Sequence, residues 1–157
     1  MVDDGAVRGS LRFDADRVRD ILPVLRELGI AVTAYGVLSR GLLSGSATNG
    51  ASDFRARLPR FAGEAGERNR ALVERMRAVA EERGVSLSQM AIAWVMGKGR
   101  EIVPVMGART VVQLREALEG LGCVLSREEE GRLEEIAGEV EGARYDAHAM
   151  GMLDSER

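Results

Sequence analysis

A single cysteine, Cys123, and a single histidine, His148, exclude a disulfide framework and leave too few ligands for a protein-built zinc site. Lysine is nearly absent: Lys98 is the only one among 22 cations, a bias that fits a GC-rich genome better than any chemistry. No apolar run approaches the roughly 20 residues of a membrane-spanning helix, and no signal peptide opens the chain. Neither a G-x-G-x-x-G turn nor a P-loop is present. The 22 cations are outnumbered by 25 acids, for a formal charge of −3. No cationic excess therefore exists to displace counterions from duplex DNA or to hold an anionic membrane surface. These absences leave a soluble protein in the reducing cytoplasm as the expectation.

What is present is ordinary globular material: 157 residues, 45% apolar and 30% charged, enough for one domain with a modest core. Residues 1–13 have no clear period and read as an irregular lead-in, 14–138 as the body, and 139–157 as an aperiodic tail. Val18, Ile21, Leu22, Leu25 and Leu28 recur at helical spacing and predict a helix over Asp16–Leu28. Pro23 suits a first turn, so the regular helix is expected to start near Arg19, and Gly29 is a natural residue just past its end. Ile30–Tyr35 is β-branched and apolar on both faces, as in a covered parallel strand. Gly36–Gly66 is weakly periodic and reads as a long, functional or disordered loop.

A helix is then expected over Asn69–Arg83, closed by Gly84. Ser86-Leu-Ser-Gln89 is a capping box opening a helix over Leu87–Met96. That helix is apolar nearly all round and therefore buried, with Trp94, Met76, Met90 and Met96 as core. Ile102–Val105 is a second strand, shortened by Pro104. Thr110-Val-Val-Gln113 and Ser126-Arg-Glu-Glu129 read as two more capping boxes, opening helices to Leu121 and Ile136. The acidic cluster from Glu128 to Glu135 reads as a solvated helix face, and Cys123 as a small packed residue. Strands alternating with helices imply an α/β layer arrangement with parallel pairing.

The chemical signal lies at the two strand-to-helix junctions, because ligands of α/β folds sit beyond the carboxyl ends of strands. After the first strand comes Tyr35-Gly-Val-Leu-Ser-Arg-Gly-Leu-Leu-Ser-Gly45, with glycines for close backbone approach, hydroxyls for hydrogen bonds and one arginine. After the second comes Met106-Gly-Ala-Arg-Thr110, a turn feeding a helix N-terminus. Such a turn favours an anion, and Arg109 suits a phosphate, which it can grip bidentately. Glycine and serine after a strand equally serve as plain turn chemistry. Tyr35 at a strand end is equally a core residue or a ligand platform.

At these residues the sequence resembles the C-terminal part of an aldo-keto reductase. The likeness runs from Ile21-Leu-Pro-Val-Leu-Arg-Glu-Leu-Gly-Ile30 through Ala34–Gly45, Ala91-Ile-Ala-Trp-Val95, Ile102–Val105 and Gly107–Leu118. The tail stretches Ala143-Arg-Tyr145 and Leu153–Arg157 are similar to one bacterial branch. Two positions depart from the family pattern: Gly36-Val37 replaces its Ser-Pro, and Ala117 its Asn. The resemblance implies a (β/α)8 barrel that binds NADP(H) and reduces aldehydes and ketones. It implies that this chain holds the last two or three βα units. It further implies Tyr35 on the nicotinamide face, Leu38, Ser39, Gly41 and Leu42 along the pyrophosphate, Gly107, Ala108 and Arg109 on the ribose phosphate, and Gln113 and Glu116 nearer the adenine.

The family's catalytic Asp, Tyr, Lys and His lie in the first half of the barrel, and no residue here matches them. Lys98 lies before the second strand, at the wrong end, and Tyr145 and His148 fall in the tail. A barrel of eight units takes about 250 residues. The expectation is therefore an NADP(H)-binding part, inactive alone, that pairs with a missing N-terminal half or with a second copy. The alternatives are a catalytically silent nucleotide-binding or assembly module that pairs through exposed barrel edges, and a homodimer that has lost the nucleotide.

Overall fold

The computed structural model describes residues 15–45, 50 and 52–143, with side chains from residue 21 onward. The lead-in 1–13 and the tail motifs around Tyr145, His148 and Leu153 lie outside the described residues. The elements run α1 (Ala15–Glu27), β1 (Val32–Tyr35), α2 (Gly63–Glu82), α3 (Leu87–Gly97), β2 (Ile102–Val105), α4 (Val111–Gly120) and α5 (Arg127–Gly138). Between β1 and α2 come tight turns over Ser39–Ser44 and a single 3-10 turn, Phe54–Arg57. The strands pair in parallel, Val32 opposite Ile102 and Tyr35 opposite Val105. Among the described residues no helix is long and apolar enough to cross a membrane.

Helix α1 begins earlier than the proline suggested, so Pro23 lies inside it rather than in its first turn. Pro23 is exposed, and solvent can satisfy the carbonyl that its missing N–H leaves free. Gly29 ends the helix with φ +66°, the left-handed conformation that favours glycine. Arg26 in the last turn ties α1 to the entry of β2, donating to Glu101 Oε1 at 2.6 Å and to the Lys98 carbonyl at 2.7 Å.

The first strand is shorter than Ile30–Tyr35 and is covered on one face only. Val32 and Ala34 are buried, whereas Thr33 and Tyr35 are exposed. In β2, likewise, Ile102 is buried and Val103 and Val105 stand half exposed. The covering layer comes from the connection between the strands. α3 packs on β2, α2 packs on α3, α5 packs on α2, and Met90 and Ile92 are wholly enclosed with Met76 and Trp94 beside them. Enclosing a methionine of this kind contributes about 1.5–3 kcal/mol.

Helix α2 starts at Gly63 rather than Asn69, so Asn69 is an interior residue and not a start signal. It is completely buried. Its Nδ2 donates to the Arg60 and Glu141 carbonyls at 3.0 and 2.8 Å, and its Oδ1 accepts the Glu141 amide at 3.0 Å. Arg60 adds a bond from Nε to the Gly142 carbonyl at 3.1 Å. These contacts and the buried Val140 carry the packed body past residue 138, into what the sequence marked as tail.

The capping boxes at Ser86/Gln89 and Ser126/Glu129 are complete. The third is not a box. Thr110 Oγ1 accepts the Gln113 amide at 3.2 Å, but Gln113 Oε1 reaches past the cap to the Arg109 amide at 2.8 Å. The acidic face of α5 is only partly solvated: Glu129 pairs with Arg83 at 2.7 Å and Glu134 with Lys98.

Candidate functional site

Both strands end at one cleft. Its volume is about 820 Å³, within the 300–1,000 Å³ common for small-molecule and cofactor sites. One wall is the turn after β1, the other the turn after β2 with the start of α4, and the floor includes Ser88 and Ile92 of α3.

The first wall is shaped by left-handed backbone. Ser39, Arg40 and Gly41 have φ of 48°, 54° and 93° in succession. A residue with a side chain costs roughly 1–2 kcal/mol in this region, so only Gly41 adopts it freely. Local bonds close the turn: the Ser39 amide donates to the Gly36 carbonyl at 2.8 Å and the Gly41 amide to Leu38 at 2.9 Å. The reversal turns Ser39 into the interior, where it is 8% exposed, and leaves Leu38, Arg40 and Gly41 on the cleft.

In the second wall, the Gln113-to-Arg109 bond locks the turn before α4. Arg109 is exposed and lines the cleft beside Gly107. Among the described residues its guanidinium makes no ion pair, whereas Arg26, Arg55, Arg68, Arg75 and Arg83 all do. With Thr110 holding the Gln113 amide, the remaining amides of the first turn of α4 face outward as donors. Glu116, one turn on, is held by α3: Ser86 Oγ donates to its Oε1 at 2.6 Å.

Of the residues that the sequence singled out, Leu38, Gly41, Gly107, Arg109, Gln113 and Glu116 are brought together on this cleft. Ser39 is buried, Leu42 packs against the core, Ala108 is exposed away from the lining, and Tyr35 stands on the open sheet face. Lys98 sits before β2, at the opposite end of the strand. Its ammonium pairs with Glu134 and lies 4.4 Å from the centroid of the Trp94 ring.

Sequence reasoning missed a third group, Asp53, Phe54 and Arg55, which also lines the cleft. Asp53 caps the 3-10 turn by accepting the Arg55 amide at 3.0 Å, and it grips the Arg55 side chain with Nη2 to Oδ2 at 2.6 Å. That hydrogen bond holds the guanidinium proton more firmly than in a free arginine. An Asp at a cap position was the available signal.

This donor set fits a phosphorylated dinucleotide: an unneutralised guanidinium, a glycine without a side chain to fill the turn, and free first-turn amides. Among the described residues no cluster of three or more His, Cys, Asp or Glu is arranged to hold a metal.

The pattern of the Aldo/keto reductase family matches residues 10–137. The glycerol dehydrogenase AKR11B4 from Gluconobacter oxydans superposes with a TM-score of 0.69 at 29% identity, over 82% of this chain and 40% of its own. The chain thus spans well under half the length of that relative. The family is one of NAD(P)-dependent oxidoreductases built on a (β/α)8 barrel, and the chain belongs to it.

Proposed function

We propose that this chain is the NADP(H)-binding end of an aldo-keto reductase, formed by the last two or three βα units of the barrel. The observation that carries this reading is Arg109, a guanidinium without an acidic partner among the described residues, set on the cleft beside Gly107 and the first turn of α4. Arg109 and those amides would hold the 2′-phosphate, and the Leu38–Gly41 turn would lie along the pyrophosphate. When bound, the nicotinamide nucleotide supplies a hydride for aldehydes and ketones. The chain's own residues bind and orient. Among the described residues the cleft lining holds no Tyr, Lys or His, its Asp53 is engaged by the Arg55 guanidinium, and Lys98 is at the far end of the strand. The chain alone is therefore expected to reduce carbonyls negligibly, in keeping with a cytoplasmic binding part that pairs with a barrel half or a second copy.

A fluorescence titration tests the phosphate role. Arg109→Ala should weaken NADPH roughly tenfold or more, the scale of a charged hydrogen bond, and leave NADH nearly unchanged. An equal loss for both nucleotides would contradict the assignment.

A second reading has its own observation. Tyr35, Val103 and Val105 form a half-exposed apolar face on the sheet, which a silent assembly module would use to pair.

A further inference from the structure

Arg55 and Arg109, two of the three described arginines on the cleft, differ in how their charge is compensated. Arg109 has no ion pair among the described residues, but Arg55 is neutralised. Its Nε lies 3.1 and 3.0 Å from the two Asp53 carboxylate oxygens, and its Nη2 2.6 Å from one of them. Both side chains are nearly enclosed, at 12% and 10% exposure. A guanidinium so compensated has little attraction left for a phosphate. The remaining nitrogen points elsewhere: Nη1 donates to the backbone carbonyl of Arg40 at 3.0 Å, across 15 residues of sequence.

That carbonyl belongs to the strained part of the first wall. Ser39 and Arg40 are the two described non-glycine residues with positive φ, and they are adjacent. Two such residues in succession persist only where surrounding contacts over-determine them. Among the described residues the turn's own bonds run from Gly36 to Gly45, the last being the Gly45 amide and the Ser44 hydroxyl donating to the Gly41 carbonyl. The bond from Arg55 comes from outside it and lands on the carbonyl of one of the two positive-φ residues.

We propose that Arg55, braced by Asp53, is a positioning residue that holds the Ser39–Gly41 backbone in the shape that forms the first wall of the cleft. The planar fork suits this task, since one edge engages the carboxylate while the far nitrogen stays aimed at the carbonyl. The consequence for ligands rests on the nucleotide reading above: the brace serves the pyrophosphate side and leaves the Arg109 side alone.

Amide hydrogen exchange on the full chain tests the brace without any nucleotide. In Arg55→Ala, exchange over residues 39–45 should quicken about tenfold, the worth of one charge-assisted bond, while α3 amides keep their protection. Asp53→Asn keeps a capping oxygen and should show a smaller increase over the same residues. Unchanged exchange at 39–45 in both variants, or a rise in α3 of equal size, would overturn the proposal. The second readout is titration with two probes. Arg55→Ala should weaken NADPH several-fold and leave 2′,5′-adenosine diphosphate, which lacks the pyrophosphate and nicotinamide, bound as before. Equal weakening of both probes would overturn a role confined to the first wall. Failure of the parent chain to bind either probe would sink the nucleotide reading, while the exchange result still decides the brace.

Discussion

On one face of the two-stranded sheet, Val32, Ala34 and Ile102 are sealed by the helix layer; on the other, Tyr35, Val103 and Val105 each keep half their surface in water. The same contrast runs through α4, where Gly120 is buried while Val112 and Leu118 are 75% and 56% exposed. The difference follows from connectivity. The segment that carries the chain from β1 to β2 supplies α3, which packs on β2, and α2, which packs on α3. Among the described residues none covers the other side. In a closed barrel that face is the interior, filled by layers of side chains from neighbouring strands.

This contrast can be broken by substitution. The largest effect is expected on the sealed side. Met90→Ala empties a fully enclosed site and should cost about 3–4 kcal/mol in urea denaturation, typical of a buried methionine. A loss under about 1 kcal/mol would mean that this layer is not the true core.

An intermediate effect is expected where α5 is fastened to α2. Glu129 accepts the Ser126 amide at 2.7 Å and also takes the Arg83 guanidinium. The Ser126 amide, then Arg83 and the Ser126 hydroxyl, hold the Glu129 carboxyl down at about 2 from an ordinary 4.5. A carboxyl lowered on folding stabilises fully above the ordinary value, and that stability drains away as pH falls from about 4.5 towards 2. Glu129→Gln keeps the cap acceptor but loses the ion pair, which is partly screened by solvent and worth below about 1 kcal/mol. Parent and variant should therefore differ near neutrality and converge in acid. A gap at pH 2.5 as large as that at neutrality would remove the ion pair from the account.

The smallest effect is expected on the open side. Val103→Lys should change stability by no more than about 0.5 kcal/mol and should lower any concentration-dependent association seen by light scattering. A loss matching that of Met90→Ala would show that the face is covered after all.

What could be read in advance was local. Ser86 with Gln89 and Ser126 with Glu129 state their helix starts within four residues, because cap and partner are neighbours in the chain. The start of α2 carried no such statement: its cap position is Ala62, whose side chain can accept nothing. Asn69 misled because the apolar period becomes clear only there, while its actual role is to tie together backbone groups nine and 72 residues away. The strand Ile30–Tyr35 looked covered on both faces because apolarity records what a residue can bury, not whether a partner is at hand.

The cleft divides in the same way. Gly107, Arg109 and Gln113 are contiguous enough to be picked out together. Arg55 was invisible because its target is a main-chain oxygen, and carbonyl groups leave no trace in the alphabet of side chains.

Gly120 closes the far end of α4, where an added methyl would come within 3.0 Å of the Gln89 Cα and 3.2 Å of its carbonyl oxygen. The helix thus lies against its neighbour with no slack at one tip and presents Arg109 at the other. An alanine there would force α3 and α4 apart locally by a few tenths of an ångström, so the close seating of the helix that follows Arg109 depends on the residue with no side chain.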